Sequence, residues 1–334
     1  MALTRRDLLL ALPGLALARR QAAPLGILGL HQVTLAVSDV ARSLYFYQSL
    51  FGMPIQVRRG TTMVLGIGEG PQFLALSRAG ASEPRIDHWG MSVEGFDPDR
   101  VVSDLGSLGV GEATSGAGSS PGSKLDPGLV RVVRRGDTPE VFMSDRNGLV
   151  IQLQDPRYCG GDGPLGDACG APQASRYDGA LRMNGLSHLT INVPDPTATN
   201  DFYQQVFGFD YQAYQATSPL LGVGPTDHFL MFIGAGAAGG TPGTARINHA
   251  CLTVEEFDVE RIIGVLEDHG ITPRETDGAT LIRPLRHWIS MRMPNRGGAP
   301  EGTPELYFSD PDGLAIQLQD AVYCGGGGYL GEVC

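Results

Sequence analysis

The spacing of apolar residues in the second half of the chain predicts short strands and short helices. Leu189–Val193 alternates between apolar and polar positions, as a half-buried strand does. Thr199–Phe207 carries its large apolar residues at the spacing of one helical face, and Gly208 is placed to end that helix. Phe229–Ile233 is an apolar run of strand length. These elements form a first unit.

A second unit with the same order follows at once. His249–Val254 reads as its first strand, and Val259–His269 reads as a helix that Gly270 ends. Its last strands are Ile289–Met293, Leu306–Phe308 and Leu314–Leu318, with the tight turn Asp310–Gly313 between the final two. The order of strand, helix and three strands, twice over, predicts an α+β module of two βαβββ units. Side by side, these units form a half-open barrel with an inward concave face.

The whole pattern occurs twice along the chain. Thr138–Cys169 and Thr303–Cys334 align without a gap and share 20 of 32 residues. Three earlier pairs follow in the same order: His31–Asp39 with Ser187–Asp195, Ser43–Met53 with Asn200–Asp210, and Ile86–Asp97 with Ile247–Asp258. The repeat predicts tandem modules at 27–169 and 184–334, joined by a linker at 170–183 that lacks an apolar period.

Composition narrows the classes of partner. The chain has 334 residues, is 42% hydrophobic and carries a net charge of -11. An acidic chain is repelled by phosphate backbones, so nucleic acid is not an expected partner. No basic amphipathic segment indicates a membrane surface once the leader is removed. A small-molecule substrate is the partner we expect, and the oligomeric state is not predicted.

The N-terminal segment 1–23 reads as an export signal. Arg5 and Arg6 precede the run Leu8–Ala18, which is too short to span a bilayer as a helix. A paired arginine before such a run resembles a twin-arginine signal, with an ordinary secretory signal or a short anchor as alternatives. Cleavage after Ala18 and cleavage after Ala23 both remain open. The expected location is periplasmic or secreted.

The five cysteines agree with export. Cys159 and Cys169 are ten residues apart, as are Cys324 and Cys334, and both pairs occur in the same repeated context. In an oxidising compartment each pair is most simply a small disulfide loop. Thiolate ligation of zinc is the alternative, and the absence of a histidine in these glycine-rich loops disfavours it. The unpaired Cys251 is expected to be a buried thiol.

The order of motifs resembles the vicinal oxygen chelate superfamily, which includes glyoxalase I, bleomycin resistance proteins and extradiol dioxygenases. The features that carry the resemblance are a histidine near the start of the first strand with a later Val-x-Asp, a helix containing Phe-Tyr and Phe-Gly, and Asp-Pro-Asp-Gly before the last strand. The resemblance implies a divalent metal on the concave face. Its implied ligands are His188, His249 and Gln317 in module 2, with a weaker set in module 1 at Gln32, His88 and Gln152.

The third ligand departs from the family pattern, since most family enzymes have a glutamate where both modules have a glutamine. A neutral amide binds a hard cation more weakly than a carboxylate does, so we consider Glu305 as a substitute carboxylate, direct or through water. Tyr307 stands where the extradiol signature places a tyrosine that reaches the substrate. Module 1 has Phe142 there and is expected to be non-catalytic. The upstream histidine of the signature is absent around 297–300.

Structural roles are alternatives for each of these residues. A single strand histidine is usually structural, but His188 and His249 occupy matching points of two units. Glu305 and its counterpart Glu140 could instead form buried ion pairs. Tyr307 could be a core aromatic residue. Other histidines without a counterpart in the repeat are expected at the surface or in loops: His228, His269 and His287.

The resemblance implies a ring-cleaving dioxygenase that acts at module 2 on a catechol-like or other vicinal-oxygen compound. Fe(II) is the implied metal, with Mn, Zn or Ni as alternatives. Tyr307 would position the substrate or assist proton transfer. A glyoxalase- or epimerase-like lyase or isomerase, with Glu305 moving a proton, is a second reading. A metal-free protein that sequesters a small aromatic compound is a third.

Overall fold

The structure is a computed structural model in which residues 25–113, 125–234, 243–274 and 283–334 are described. The predicted signal 1–23 and both candidate cleavage sites lie outside the described residues. Within the described part, no helix is long and apolar enough to cross a membrane.

Module 1 is a nine-stranded mixed sheet with two helices. The strands lie in the order β2-β3-β4-β1-β5-β9-β8-β7-β6, so that the first strands of the two units, β1 and β5, are central and antiparallel. Its elements are β1 (Ile27–Val37), α1 (Val40–Phe51), β2 (Ile55–Arg59), β3 (Thr62–Gly66), β4 (Phe73–Arg78), β5 (Arg85–Val93), α2 (Pro98–Ser107), β6 (Gly111–Glu112), β7 (Leu129–Arg135), β8 (Thr138–Ser144) and β9 (Val150–Gln154).

Module 2 repeats this topology in the order β11-β12-β13-β10-β14-β18-β17-β16-β15, which confirms the α+β class and the tandem βαβββ architecture. Its elements are β10 (Met183–Val193), α3 (Pro196–Phe207), β11 (Tyr211–Gln215), β12 (Ser218–Gly222), β13 (Phe229–Gly234), β14 (Arg246–Val254), α4 (Val259–Asp268), β15 (Thr272–Pro273), β16 (Arg286–Arg292), β17 (Thr303–Ser309) and β18 (Ala315–Asp320). A short 3-10 helix, Pro294–Arg296, lies between β16 and β17.

Matching residues begin and end the first helix of each module. Asp39 caps α1 and Asp195 caps α3, each through a side-chain oxygen that accepts backbone N–H groups of the first turn. Gly52 and Gly208 end these helices in the left-handed region, at φ 66° and 68°. At Gly52 a Cβ atom would lie 2.6 Å from the carbonyl oxygen of Asp178, so the close approach of the chain also requires glycine.

The apolar pattern missed some elements and misplaced one histidine. It did not locate β11 and β12, because these two short strands carry few buried apolar side chains. His287, expected at the surface or in a loop, is buried in β16 and lies 3.3 Å from the Glu267 carboxylate. His228 accepts a hydrogen bond from the Leu30 backbone N–H across the module boundary, at 3.0 Å. The prediction was wrong for His287, since strand β16 begins three residues earlier than the pattern indicates.

The two modules exchange contacts reciprocally. Tyr47 on α1 donates a hydrogen bond to Asp310 of module 2 at 3.4 Å, and Tyr203 on α3 donates to Asp145 of module 1 at 3.3 Å. The ring of Phe46 also packs against that of Phe308, across the boundary. One apolar core therefore runs through both modules.

Both cysteine pairs form the disulfide loops predicted from the repeat, Cys159–Cys169 and Cys324–Cys334. Cys251 is a buried free thiol, as expected.

Candidate metal centre

The three predicted ligands of module 2 lie on adjacent central strands of one sheet. His188 is on β10, His249 on β14 and Gln317 on β18. Cys251 pairs across the strands with both His188 and Gln317, which places all three strands in register at this level. A register shift between Leu186 and His188 directs the histidine ring into the concave face. The structure thus brings the three residues together.

The imidazole rings converge within contact distance. The centroids of the His188 and His249 rings are 5.7 Å apart. His188 Nε2 lies 3.1 Å from Gln317 Oε1. His249 Nδ1 lies 2.9 Å from Asn248 Oδ1. Since an amide oxygen only accepts, Nδ1 carries the proton of His249. Nε2 then presents a lone pair, and this buried atom has no hydrogen-bond partner among the described residues.

Burial keeps both imidazoles neutral. Desolvation lowers the pKa of His249 to about 4, although Gln317 opposes the shift. Desolvation also lowers the pKa of His188 well below 6.5, and the nearby His249 adds to this effect. A neutral imidazole is the form that ligates a metal, so the site needs no deprotonation at neutral pH.

A cavity of about 1530 Å³ opens above these residues. Tyr307 and Trp288 line it beside the histidines, and their rings are stacked, 5.3 Å apart and within 5° of parallel. The ring of His249 meets Tyr307 edge-on at 5.2 Å. Burial and the Glu305 carboxylate raise the pKa of Tyr307 well above 10, so its hydroxyl remains protonated. The cavity combines a flat aromatic wall with a protonated donor.

Glu305 lies at the base of the cavity in a buried polar cluster. Arg292 Nε donates to its Oε1 at 2.9 Å, while the hydroxyls of Tyr307 and Tyr323 lie 3.4 Å from its oxygens. Within the described ranges, no three His, Cys, Asp or Glu side chains cluster closely enough to hold a cation. The geometry therefore favours the ion-pair alternative for Glu305 over direct ligation.

The weaker predicted ligand set of module 1 also lies on adjacent strands, but its side chains are bonded to neighbouring protein groups. Gln32 Nε2 donates to Gln152 Oε1, so the amide that replaces His188 is bonded to the amide that replaces Gln317. His88 Nδ1 lies 2.8 Å from the Asp87 carboxylate, where module 2 has the neutral Asn248. A Cβ atom at Gly90, the counterpart of Cys251, would lie 2.6 Å from Gln32 Cγ. The side chain of Gln32 thus packs against Gly90, whereas module 2 has His188 and Cys251 at these two positions.

Comparison with known proteins identifies the family. Residues 29–107 and 185–318 match the profile of the Glyoxalase/Bleomycin resistance protein/Dioxygenase superfamily. The chain belongs to this superfamily. No curated protein matches the sequence.

Several solved structures share the fold at low identity. The 2,3-dioxygenase LapB from Pseudomonas sp. KL28 is 15% identical, with a TM-score of 0.57 over 88% of this chain and 92% of that one. The Mn(II)-bound glyoxalase from Novosphingobium aromaticivorans is 16% identical, with 0.58 over 88% and 82%. Homoprotocatechuate 2,3-dioxygenase from Brevibacterium fuscum, in an anaerobic complex with 3,4-dihydroxyphenylacetate, is 18% identical, with 0.56 over 89% and 82%. These likenesses show a shared fold.

The residues of module 2 fit a divalent metal of the kind that enzymes of this superfamily bind. His249 Nε2 is a buried acceptor without a hydrogen-bond partner among the described residues. His188 Nε2 donates to Gln317 Oε1 in this structure, and the two atoms would supply a second imidazole nitrogen and an amide oxygen once the proton of His188 moves to Nδ1. Two imidazoles and one oxygen donor form a set that accepts Fe(II), Mn(II) or Zn(II).

Sequence reasoning missed three residues that shape this site. Arg292 pairs with Glu305, Asn248 orients His249, and Trp288 stacks on Tyr307. The alignment of Asp87-His88 with Asn248-His249 carried a signal for Asn248, since the residue before each histidine is polar in both copies. The other two lie on β16, where the two copies share too little sequence for the repeat to reveal them.

Proposed function

We propose that the chain is a metal-dependent enzyme of the extradiol dioxygenase type that acts at module 2 on a small catechol-like or other vicinal-oxygen compound. The observation that carries this proposal is the convergence of His188, His249 and Gln317 on one cavity, with His249 Nε2 buried and unpartnered. A concave cavity on which a few polar groups converge is a common form of a small-molecule site.

In the proposed mechanism, different side chains bind the metal and orient the substrate. His188, His249 and Gln317 would hold the metal, with Fe(II) as the proposed ion. A bound Fe(II) supplies a redox centre and a template for a bidentate substrate. Tyr307, which remains protonated, donates a hydrogen bond to a substrate oxygen and fixes its orientation. Trp288 stacks on Tyr307 and fixes the orientation of that ring at the cavity wall.

The state of Glu305 favours the dioxygenase over an isomerase. A glyoxalase- or epimerase-like reaction needs a carboxylate that is free to take up and release a proton. Glu305 is fixed by Arg292 at 2.9 Å and shielded by two tyrosine hydroxyls. A carboxylate held in a buried ion pair is not free to move toward a substrate, because leaving the pair would leave the arginine charge uncompensated.

The test compares matched histidine variants of the mature protein. His188→Ala and His249→Ala are expected to lose near-stoichiometric metal, measured by elemental analysis after Fe(II) loading. They should also lose oxygen uptake with a panel of catechols by about 100-fold or more, as removal of a metal ligand does. His88→Ala, the equivalent change in module 1, is the control and should retain both.

The outcomes separate the alternatives. Metal binding without oxygen uptake, but with isomerisation of a carbonyl substrate, would select the glyoxalase-like reaction. Protein that binds catechols but takes up no metal under any loading condition would select the sequestering protein and refute the enzyme.

Export to the periplasm or beyond is part of the proposal. The twin-arginine motif at Arg5 and Arg6 and the two disulfide loops support it, because disulfides persist in oxidising compartments. Fractionation of the native host tests it, and retention of the protein in the cytoplasm would contradict it.

A further inference from the structure

The free charge around the module 2 cavity is positive, although the chain as a whole carries a net charge of -11. Three carboxylates that line the cavity are each neutralised by an arginine, in the pairs Glu305–Arg292, Asp312–Arg42 and Asp87–Arg85. Two further lining residues, Arg246 and Arg296, are exposed and have no side-chain hydrogen bond or ion pair within the described ranges. Glu83 is the one exposed carboxylate left to oppose them among the described lining residues.

Arg296 reaches the cavity on a loop that module 1 lacks. In module 1 two residues join β7 to β8, whereas in module 2 ten residues, 293–302, join β16 to β17. This loop is held at both sides, because Ala216 N–H donates to Arg296 O at 3.2 Å and Arg292 Nη1 donates to Gly297 O at 2.9 Å. The insertion therefore belongs to the copy with the open cavity, and it fixes the backbone that carries the arginine.

The arginine lies close to the aromatic wall. Arg296, Tyr307 and Trp288 all line the same cavity. Tyr307 stacks on Trp288, and the guanidinium of Arg274 lies over the Trp288 ring, 5.3 Å from its centroid. A planar ring bound against Tyr307 would thus share the cavity with the free guanidinium of Arg296.

We propose that Arg296 binds an anionic group, a carboxylate, on the substrate, so that the substrate class is an aromatic carboxylic acid with vicinal oxygens. A guanidinium binds a carboxylate through two parallel hydrogen bonds, which fixes orientation as well as adding affinity. The excess positive charge at the mouth attracts such an acid and repels cationic aromatics. The proposal rests on the proposed function for the identity of the vicinal oxygens, but the anion site itself is independent of any metal.

The experiment measures binding of 3,4-dihydroxybenzoate and of its uncharged methyl ester by calorimetry, anaerobically, with metal-free and with Fe(II)-loaded full-length mature protein. The acid is expected to bind at least about tenfold more tightly than the ester, which corresponds to about 1.4 kcal/mol. Arg296→Gln should weaken binding of the acid about tenfold and leave the ester unchanged, as loss of a charge-assisted pair predicts. Arg134→Gln, an exposed arginine of module 1 outside the cavity, is the matched control.

The readouts distinguish this proposal from the enzyme proposal. Equal affinity for acid and ester, or equal losses in the Arg296 and Arg134 variants, would overturn the anion site even in an active enzyme. Preference for the acid in protein that never takes up metal would support the anion site while refuting the dioxygenase. The side chain of Arg296 is exposed and unpartnered, so its replacement leaves the fold intact.

Discussion

Replacing Glu305 by glutamine separates a structural carboxylate from a metal-binding one. The substitution keeps an oxygen that can accept from Arg292 Nε but removes the negative charge. Arg292 is fully buried, with 0% of its side chain exposed, and its Nη2 atom has no partner in the described part of the chain. The variant therefore leaves a cation inside the protein without a counter-charge.

The magnitude follows from burial. Two unit charges about 4 Å apart attract by about 4 kcal/mol at an effective dielectric of about 20, and removing one partner of a buried pair costs about 3 to 5 kcal/mol. Loss of the desolvation penalty of Glu305 itself offsets part of this. We expect Glu305→Gln to lower the free energy of unfolding by about 3 kcal/mol.

The equivalent residue of module 1 provides the control. Glu140 pairs with Arg59 and Arg135, whose side chains are 15% and 26% exposed. These arginines can reach water when the carboxylate is lost, so Glu140→Gln should cost only about 1 kcal/mol. Urea unfolding followed by circular dichroism measures both variants, and the double change Arg292→Met with Glu305→Gln should recover part of the loss.

Metal content provides the second readout. If Glu305 acts only as the partner of Arg292, both glutamine variants retain the Fe(II) content of the wild type. Equal stability losses in the two variants would refute the argument from burial. Loss of metal in Glu305→Gln, with stability maintained, would show that the carboxylate ligates the metal after all.

Three further predictions concern other contacts. Asn248→Ala removes the oxygen that accepts the hydrogen bond of His249 Nδ1–H, so the imidazole is no longer held with Nε2 unprotonated. Metal affinity, measured by competition with a chelator, should fall about 10- to 100-fold. Burial is the main reason why the pKa of Asp310 is raised to about 7, so the contribution of Asp310 to stability falls as the pH rises from about 4 to 7. At pH 8, Asp310→Asn should therefore be more stable than the wild type by up to about 4 kcal/mol. Urea titrations should show that this advantage vanishes at pH 4. Cys324→Ser opens a ten-residue loop and should cost about 2 to 3 kcal/mol under oxidising conditions, an effect that a reductant should abolish.

The sequence predicted the parts of the site that depend on local periodicity. The resemblance to the superfamily implied His188, His249 and Gln317 as ligands on one concave face, and the internal repeat gave the two histidines matching positions in two units. The same reasoning found both disulfide loops.

Other features depend on contacts that periodicity does not encode. The pattern identified an apolar face on α1, but it could not show that Phe46 packs against Phe308 of the other module. It suggested an ion pair for Glu305 without naming the partner, since long arginine side chains reach across strands. Arg59 on β2 approaches Glu140 in module 1, whereas the corresponding position in module 2 holds Gln215, which contacts Tyr323 instead.

The closed site of module 1 does not make this module dispensable. Its segments 82–87 and 148–150 form one wall of the module 2 cavity. Asp145 in its final turn accepts the hydrogen bond of Tyr203, and its helix α1 covers Phe308. Without these contacts, module 2 would expose part of its core and lose one side of its substrate cavity. A duplicated copy can therefore replace its ligands, as Gln32 and Gly90 show, while its fold remains constrained by the cavity that it completes.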